Sequence, residues 1–306
     1  MTAKSIIVWR ILDGKPGHEN QTQGLVEALC DYVPVQSIEV PCQTFIKAAS
    51  SLLWKSFPLF ESPPDLIIGA GHRTHLSLLA ARRRWKCPVI VLMKPDLPRH
   101  FFDMCIIPVH DKVKASASIL ITDGVLNRIK PDPNRVAGSG MLLIGGRSKH
   151  SHWSDQHVVN QIEKIINNSD VYFTIATSRR TPPSFVEAIK YRNMANLNIV
   201  LAEETGSDWL AQQLPQCEQA WVTEDSVSMV YEALSAGVAC GVLQSSNKRP
   251  AKSSRVLTGL DRLKRENFIL AFADWAKGAT LEPAPELLAE SSRCAKIIAE
   301  KWLIKN

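Results

Sequence analysis

The sequence predicts an α/β protein built as two doubly wound Rossmann-like domains. Apolar runs of strand length alternate with helical patterns along all 306 residues, the signature of parallel sheets covered by helices. Two of those runs, Pro64-Asp65-Leu66-Ile67-Ile68-Gly69-Ala70-Gly71 and Met141-Leu142-Leu143-Ile144-Gly145-Gly146, end in glycine loops that echo each other. The length is generous for one core and suits two domains of about 150 residues each.

In the first half, strands are expected at Ile6–Ile11, Val35–Val40, Leu66–Gly69, Val89–Met93, Cys105–Val109 and Ile119–Thr122. The second half offers Met141–Gly145, Val171–Ala176, Asn198–Ala202, Ala220–Thr223 and Val238–Leu243. Between them Lys130-Pro131-Asp132-Pro133-Asn134-Arg135 has two prolines and no periodicity, which reads as a linker. The domains are therefore placed at 1–132 and 136–282, with the carboxyl ends of both sheets expected to face a central cleft. Residues 283–306 are assigned back to the first domain. From Pro285 to Leu303, the apolar Leu287, Leu288, Ala295, Ile298, Trp302 and Leu303 suggest an amphipathic helix packing across both domains. Glu286, Glu290 and Glu300 weigh against its lying on an acidic membrane.

Apolar content of 45% and charged content of 22% fit an ordinary globular chain. The seven cysteines form no C-x-x-C pair and read as buried thiols of a reducing compartment. No secretory leader or membrane-spanning run is expected, and the predicted location is cytoplasmic. Residues 1–130 hold 16 Lys+Arg against 11 Asp+Glu, so most of the net charge of +6 sits in the first half. That half suits an anionic substrate or peripheral attachment at the inner face of a membrane. Nucleic acid is not expected as a partner, because no aromatic residues interleave the cations.

Five loops are expected to carry the chemistry. Asp13-Gly14-Lys15-Pro16-Gly17-His18-Glu19-Asn20-Gln21 follows the first strand and opens a helix, where outward N–H groups and the dipole favour an anion. His18 offers an imidazole that can accept or donate a proton, and Gly14, Lys15, Gly17, Glu19 and Asn20 surround it in sequence. The loop Gly69-Ala70-Gly71-His72-Arg73-Thr74 adds a second junction. There Gly71 would let backbone approach a ligand, His72 and Arg73 would face it, and Thr74 could cap the next helix. Gly145-Gly146-Arg147-Ser148-Lys149-His150 and Thr177-Ser178-Arg179-Arg180-Thr181-Pro182-Pro183 pair glycines with cations suited to phosphate. In Thr223-Glu224-Asp225-Ser226-Val227-Ser228-Met229, Thr223 or Asp225 can cap a helix and leave N–H groups near Ser226 and Ser228 for a phosphate. Glu232, two turns on, could accept both hydroxyls of a ribose. Neither G-x-G-x-x-G, the P-loop pattern, Asp-x-Asp, a metal-ligand cluster nor G-x-S-x-G occurs.

On Asp13–Gln21, Pro64–Gly71, Thr177–Pro182 and Thr223–Met229, in that order, the chain resembles the elongated-mitochondria, or mitochondrial fission, family. Bacterial members of that family are regarded as GT-B glycosyltransferases, while plant members act as adaptors recruiting a dynamin-like protein. More distantly, it is similar to the GT-B N-acetylglucosaminyltransferase that builds lipid-linked peptidoglycan precursors. The resemblance implies a base at His18 and an acceptor side at Gly69 and Gly71. It implies that Ser226, Ser228 and Glu232 hold the nucleotide, and with Gly145, Gly146, Arg147, Ser178, Arg179, Arg180, Glu224, Asp225 and Met229 they make up the expected nucleotide-sugar side. The expected reaction moves a sugar from a nucleotide-diphosphate donor to an acceptor hydroxyl, with cell-envelope and lipid-linked glycans among the acceptors it suggests, without cofactor or metal. A non-catalytic adaptor and a nucleotide-sugar epimerase are the alternatives.

Overall fold

The computed structural model describes residues 5–147, 152–247 and 255–304, the side chains of 255–258 excepted. The chain divides into two compact units, Met1–Arg128 with Ala289–Asn306, and Ile129–Leu288.

The first unit holds β1 (Ile6–Leu12), α1 (Pro16–Leu29), β2 (Val35–Pro41), α2 (Phe45–Trp54) and β3 (Leu66–Ala70). It continues with α3 (His75–Trp85), β4 (Val89–Leu92), β5 (Met104–Pro108) and β6 (Ile119–Thr122). The strands form one sheet in the order β2-β1-β3-β4-β5-β6, with every pairing parallel. Such a sheet is covered on both faces, so its central strands need no polar side; β3, β4 and β5 are buried at every residue. One face packs Val8, Leu66 and Ile68 against Leu25 and Leu29 of α1. The other packs Trp9, Ile67 and Val91 against Leu78 of α3.

The second unit holds β7 (Ser139–Ile144), α4 (Asp155–Asn167), β8 (Tyr172–Thr177), α5 (Pro183–Tyr191), β9 (Leu197–Val200), α6 (Trp209–Gln213) and β10 (Gln219–Thr223). After these come α7 (Val227–Ala236), β11 (Ala239–Leu243), α8 (Arg255–Arg265), β12 (Leu270–Ala271) and α9 (Phe272–Trp275). Its sheet runs β12-β11-β10-β7-β8-β9 and is also parallel.

The last helix, α10 (Glu290–Ile298), returns to the first unit, where Cys294, Ala295 and Ile298 enter the core beside α1. It begins five residues after the expected Pro285. Pro283 and Pro285 disfavour helix in the residues before them. Leu288, expected on this helix, is instead buried in the second unit's core, and its carbonyl accepts a 3.0 Å hydrogen bond from Ser235. All seven cysteines are free; four are buried, but Cys30 is exposed, because it caps the carboxyl end of α1 instead of facing the sheet.

Each sheet reverses its direction of growth once. The first places β2 on one side of β1, then β3 on the other; the second adds β8 and β9 beyond β7, then β10 on its opposite side. The loops leaving β1 and β3, and those leaving β7 and β10, therefore diverge at the carboxyl ends of their strands. In open α/β sheets ligands bind at such switch points.

Candidate functional site

In the first unit, β1 ends at Leu12 and α1 begins at Pro16, whose ring suits the first helical turn. The side chain of Asp13 is wholly buried between them. It accepts the backbone N–H of Lys15 at 3.2 Å, and the ring of His18 donates to it through Nδ1–H at 3.0 and 3.1 Å. A carboxylate can only accept, so this bond places the neutral ring's proton on Nδ1 and leaves the Nε2 lone pair free. Among the described residues Nε2 has no hydrogen-bond partner, and the His18 side chain remains 17% exposed. Buried Arg10 of β1 holds the helix that carries His18. It donates to the Thr22 hydroxyl at 3.2 Å and the Glu19 carbonyl at 3.1 Å, and pairs with Glu39 at 3.0 Å.

The loop after β3 completes this arrangement. Gly71 sits at φ +82°, and a Cβ there would overlap the Cε1 and Nδ1 atoms of His18. The close approach expected of Gly71 is thus used by the protein's own imidazole ring, not by a ligand. Thr74 stands at the N-cap of α3 without capping it; its hydroxyl turns back to the Gly71 carbonyl at 2.8 Å. His72 and Arg73 are exposed beside the loop, as are Gly14, Lys15 and Gly17, while Glu19 and Asn20 are half-buried and Gly69 is buried within β3.

The next helix residue, His75, is buried against Phe102, their ring centroids 5.7 Å apart. Burial lowers its pKa below the ordinary histidine value. The unfolded chain takes up this proton near pH 6.5, before the folded chain does, so stability is complete above that pH and falls as the pH drops toward the folded value. Urea midpoints measured from pH 7.5 to 5.5 should decline less steeply in His75→Gln than in wild type; equal slopes would remove His75 from the account.

At the second switch point the loops after β7, β8 and β10 are laced together. The Gly145 N–H donates to the Thr223 hydroxyl at 2.8 Å, and the Gly146 N–H to Asp225 at 2.9 Å. Ser178 and Thr181 both donate to the Gly145 carbonyl, at 2.8 and 2.6 Å. Asp225, its side chain wholly buried, pairs with Arg180 at 3.1 Å. The amides of Gly145 and Gly146, expected to meet a phosphate, are therefore engaged by Thr223 and Asp225. Neither of those residues caps α7; Ser226 occupies the N-cap. Glu224 accepts the Ser245 N–H at 3.0 Å, and burial holds it above the usual carboxylate range.

What remains available at this edge is Arg147, Arg179 and Ser228, all exposed, together with the first N–H groups of α7. Met229 and Glu232 are half-buried on that helix. Ser148, Lys149 and His150 lie outside the described residues. Asp225→Ala should leave the Gly146 amide and Arg180 without their acceptor and cost roughly 1–3 kcal/mol. Arg180 is 42% exposed, so the ion pair itself contributes the smaller part. Chemical denaturation checks this, with Asp225→Asn expected to lose less; an unchanged midpoint in Asp225→Ala would show that the lacing is incidental.

Sequence reasoning missed Asp13 as the partner of His18, and Thr223, Asp225 and Thr181 as loop ties. The first could have been sought as an acid in the same loop, five residues before the histidine. The others depend on contacts between separate loops.

A family model described as mitochondrial fission ELM1 matches residues 16–302. A Rickettsia prowazekii protein is 22% identical over 75% of this chain and 81% of its own length. Among solved structures, the UDP-GlcNAc 2-epimerase of Methanocaldococcus jannaschii aligns with a TM-score of 0.57 at 13% identity, covering 96% of this chain and 100% of that one. The Neisseria meningitidis UDP-GlcNAc 2-epimerase bound to UDP-GlcNAc aligns at 0.50 and 11% identity, over 97% and 99%. These likenesses establish a GT-B-like fold of two Rossmann-like units.

Proposed function

The chain belongs to the mitochondrial fission ELM1 family, and from that premise we propose that it is a metal-independent glycosyltransferase using a nucleotide-diphosphate sugar. The observation that carries the reading is the buried Asp13 carboxylate holding His18 with Nε2 free at a switch point. A histidine held in that tautomer is suited to take a proton from an acceptor hydroxyl as the sugar arrives. On the second unit, the N-terminus of α7 with Ser228 and Arg179 would receive the diphosphate, whose charge grows as it leaves. Glu232 would accept the ribose hydroxyls. A nucleotide sugar as ligand is supported by the solved structures of similar fold, one of them bound to UDP-GlcNAc.

A second reading, epimerisation of the nucleotide sugar, is favoured by the fold likeness to two UDP-GlcNAc 2-epimerases. Radiolabelled nucleotide sugars incubated with the protein, with and without a membrane lipid extract, separate the two. A labelled lipid product with release of the nucleoside diphosphate supports transfer. An epimerised or free sugar formed without extract supports epimerisation. No conversion of any donor would leave the family's adaptor role and overturn both.

A further inference from the structure

Helix α2 carries an apolar face that the first unit does not cover. Phe45, Ile46, Leu53 and Trp54 are 75%, 81%, 65% and 73% exposed. Ile46 and Leu53, two turns apart, lie on one line of the helix, and Phe45 and Trp54 flank that line on either side, while Ala48 and Ser51 on the opposite side are buried. A contiguous set of large exposed apolar residues marks a surface meant to be covered.

The charges around it identify what covers it. Residues 40–60 and 66–95 contain no Asp or Glu, yet hold Lys47, Lys55, Arg82, Arg83, Arg84 and Lys86. A cavity of about 680 Å³ opens beside the helix, where Leu52 and Phe101 line it together with Arg82, Arg83 and Lys86. Its one acid, Asp103, is already held by Arg82 at 2.6 Å. Among the described residues, Arg83 and Lys86 have no carboxylate partner. A symmetric pairing of two copies through this face would set the same cations against each other. An exposed apolar helix face beside a cation-rich cavity matches the headgroup boundary of an anionic bilayer.

We propose that this face docks the protein on an anionic lipid bilayer. Phe45, Ile46, Leu53 and Trp54 enter the headgroup–acyl boundary, and Arg83 with Lys86 takes a lipid phosphate at the cavity. The helix starts at the carboxyl end of β2, where the Cys42 N–H reaches the Leu12 carbonyl at 2.8 Å, one residue before Asp13. A lipid-borne acceptor would thus lie at the edge that carries His18, a consequence that rests on the proposed function although the docking does not.

Sedimentation of the full chain with phosphatidylcholine vesicles, and with vesicles containing about one-third phosphatidylglycerol, tests the proposal without any sugar chemistry. The protein should partition onto the anionic vesicles, and less at high salt. Ile46→Ser with Trp54→Ser should weaken partitioning about tenfold, and Arg83→Gln with Lys86→Gln roughly 25-fold, at about fivefold per charge. All four residues are exposed, so melting temperatures should hold. Equal partitioning of wild type and both double variants would overturn the proposal. So would release by inorganic phosphate, or a dimer dissolved by Ile46→Ser with Trp54→Ser in a chain that ignores vesicles. Failure here would leave donor binding, and hence the transferase reading, standing.

Discussion

Replacing His18 by Ala is expected to slow sugar transfer by roughly 10²–10⁴ with donor affinity unchanged, and to lower the melting temperature modestly, because buried Asp13 keeps only the Lys15 N–H. The ring's contribution is a proton acceptor at Nε2, and no apolar core residue depends on it. Asp13→Asn should reproduce much of the loss. Its amide can donate to Nδ1, which moves the neutral ring's proton to Nε2 and removes the lone pair that accepts from substrate. The two variants differ in what they remove: His18→Ala deletes the proton acceptor, whereas Asp13→Asn leaves the ring in place with its proton on Nε2. Transfer at the wild-type rate by folded His18→Ala would end its assignment as base.

Gly71→Ala is the second large effect, because it strikes the same ring from the opposite loop. Its backbone, at φ +82° and ψ 154°, lies where residues other than glycine pay about 1–3 kcal/mol. For a unit of this size that is a loss of roughly 3–10 °C in melting temperature. The added Cβ would also occupy the place of His18 Cε1 and Nδ1 and come within 3.3 Å of Asp13 Oδ2. The imidazole must turn away, so transfer should fall about as far as in His18→Ala although the histidine is present. Gly138→Ala is the control for strain alone, since Gly138 has φ +68° with no atom within 4 Å of an added Cβ. It should melt earlier and transfer normally. Full activity in Gly71→Ala would mean that the ring is not held where the structure shows it.

The fold was legible because a buried parallel strand needs a short unbroken apolar run. Ile6–Ile11 and Ala220–Thr223 mark their strands to within a residue at either end. β12 escaped because a strand of two residues has no period to read. The expected start of the last helix failed at Leu288, whose apolar character serves another core. Within the site, glycine loops and a lone histidine announce themselves locally. The bond that fixes the tautomer of His18 joins neighbours in one loop whose spacing alone does not say that they meet, and the glycine that seats its ring comes from another loop, brought there by the folded sheet. The face of α2 was illegible for a different reason. Apolar residues such as Phe45, Ile46, Leu53 and Trp54 are expected to face a core, and only burial reveals that they point outward.

Thermal unfolding of the purified chain against a panel of nucleotides and nucleotide-diphosphate sugars, with and without EDTA, reads donor binding without any need for turnover. A ligand at 100 times its Kd adds about 2.7 kcal/mol to stability, and no acceptor is required. The account predicts a selective shift with one class of donor that survives EDTA and disappears in Glu232→Ala. A flat response at millimolar ligand, or a shift that EDTA abolishes, would contradict it.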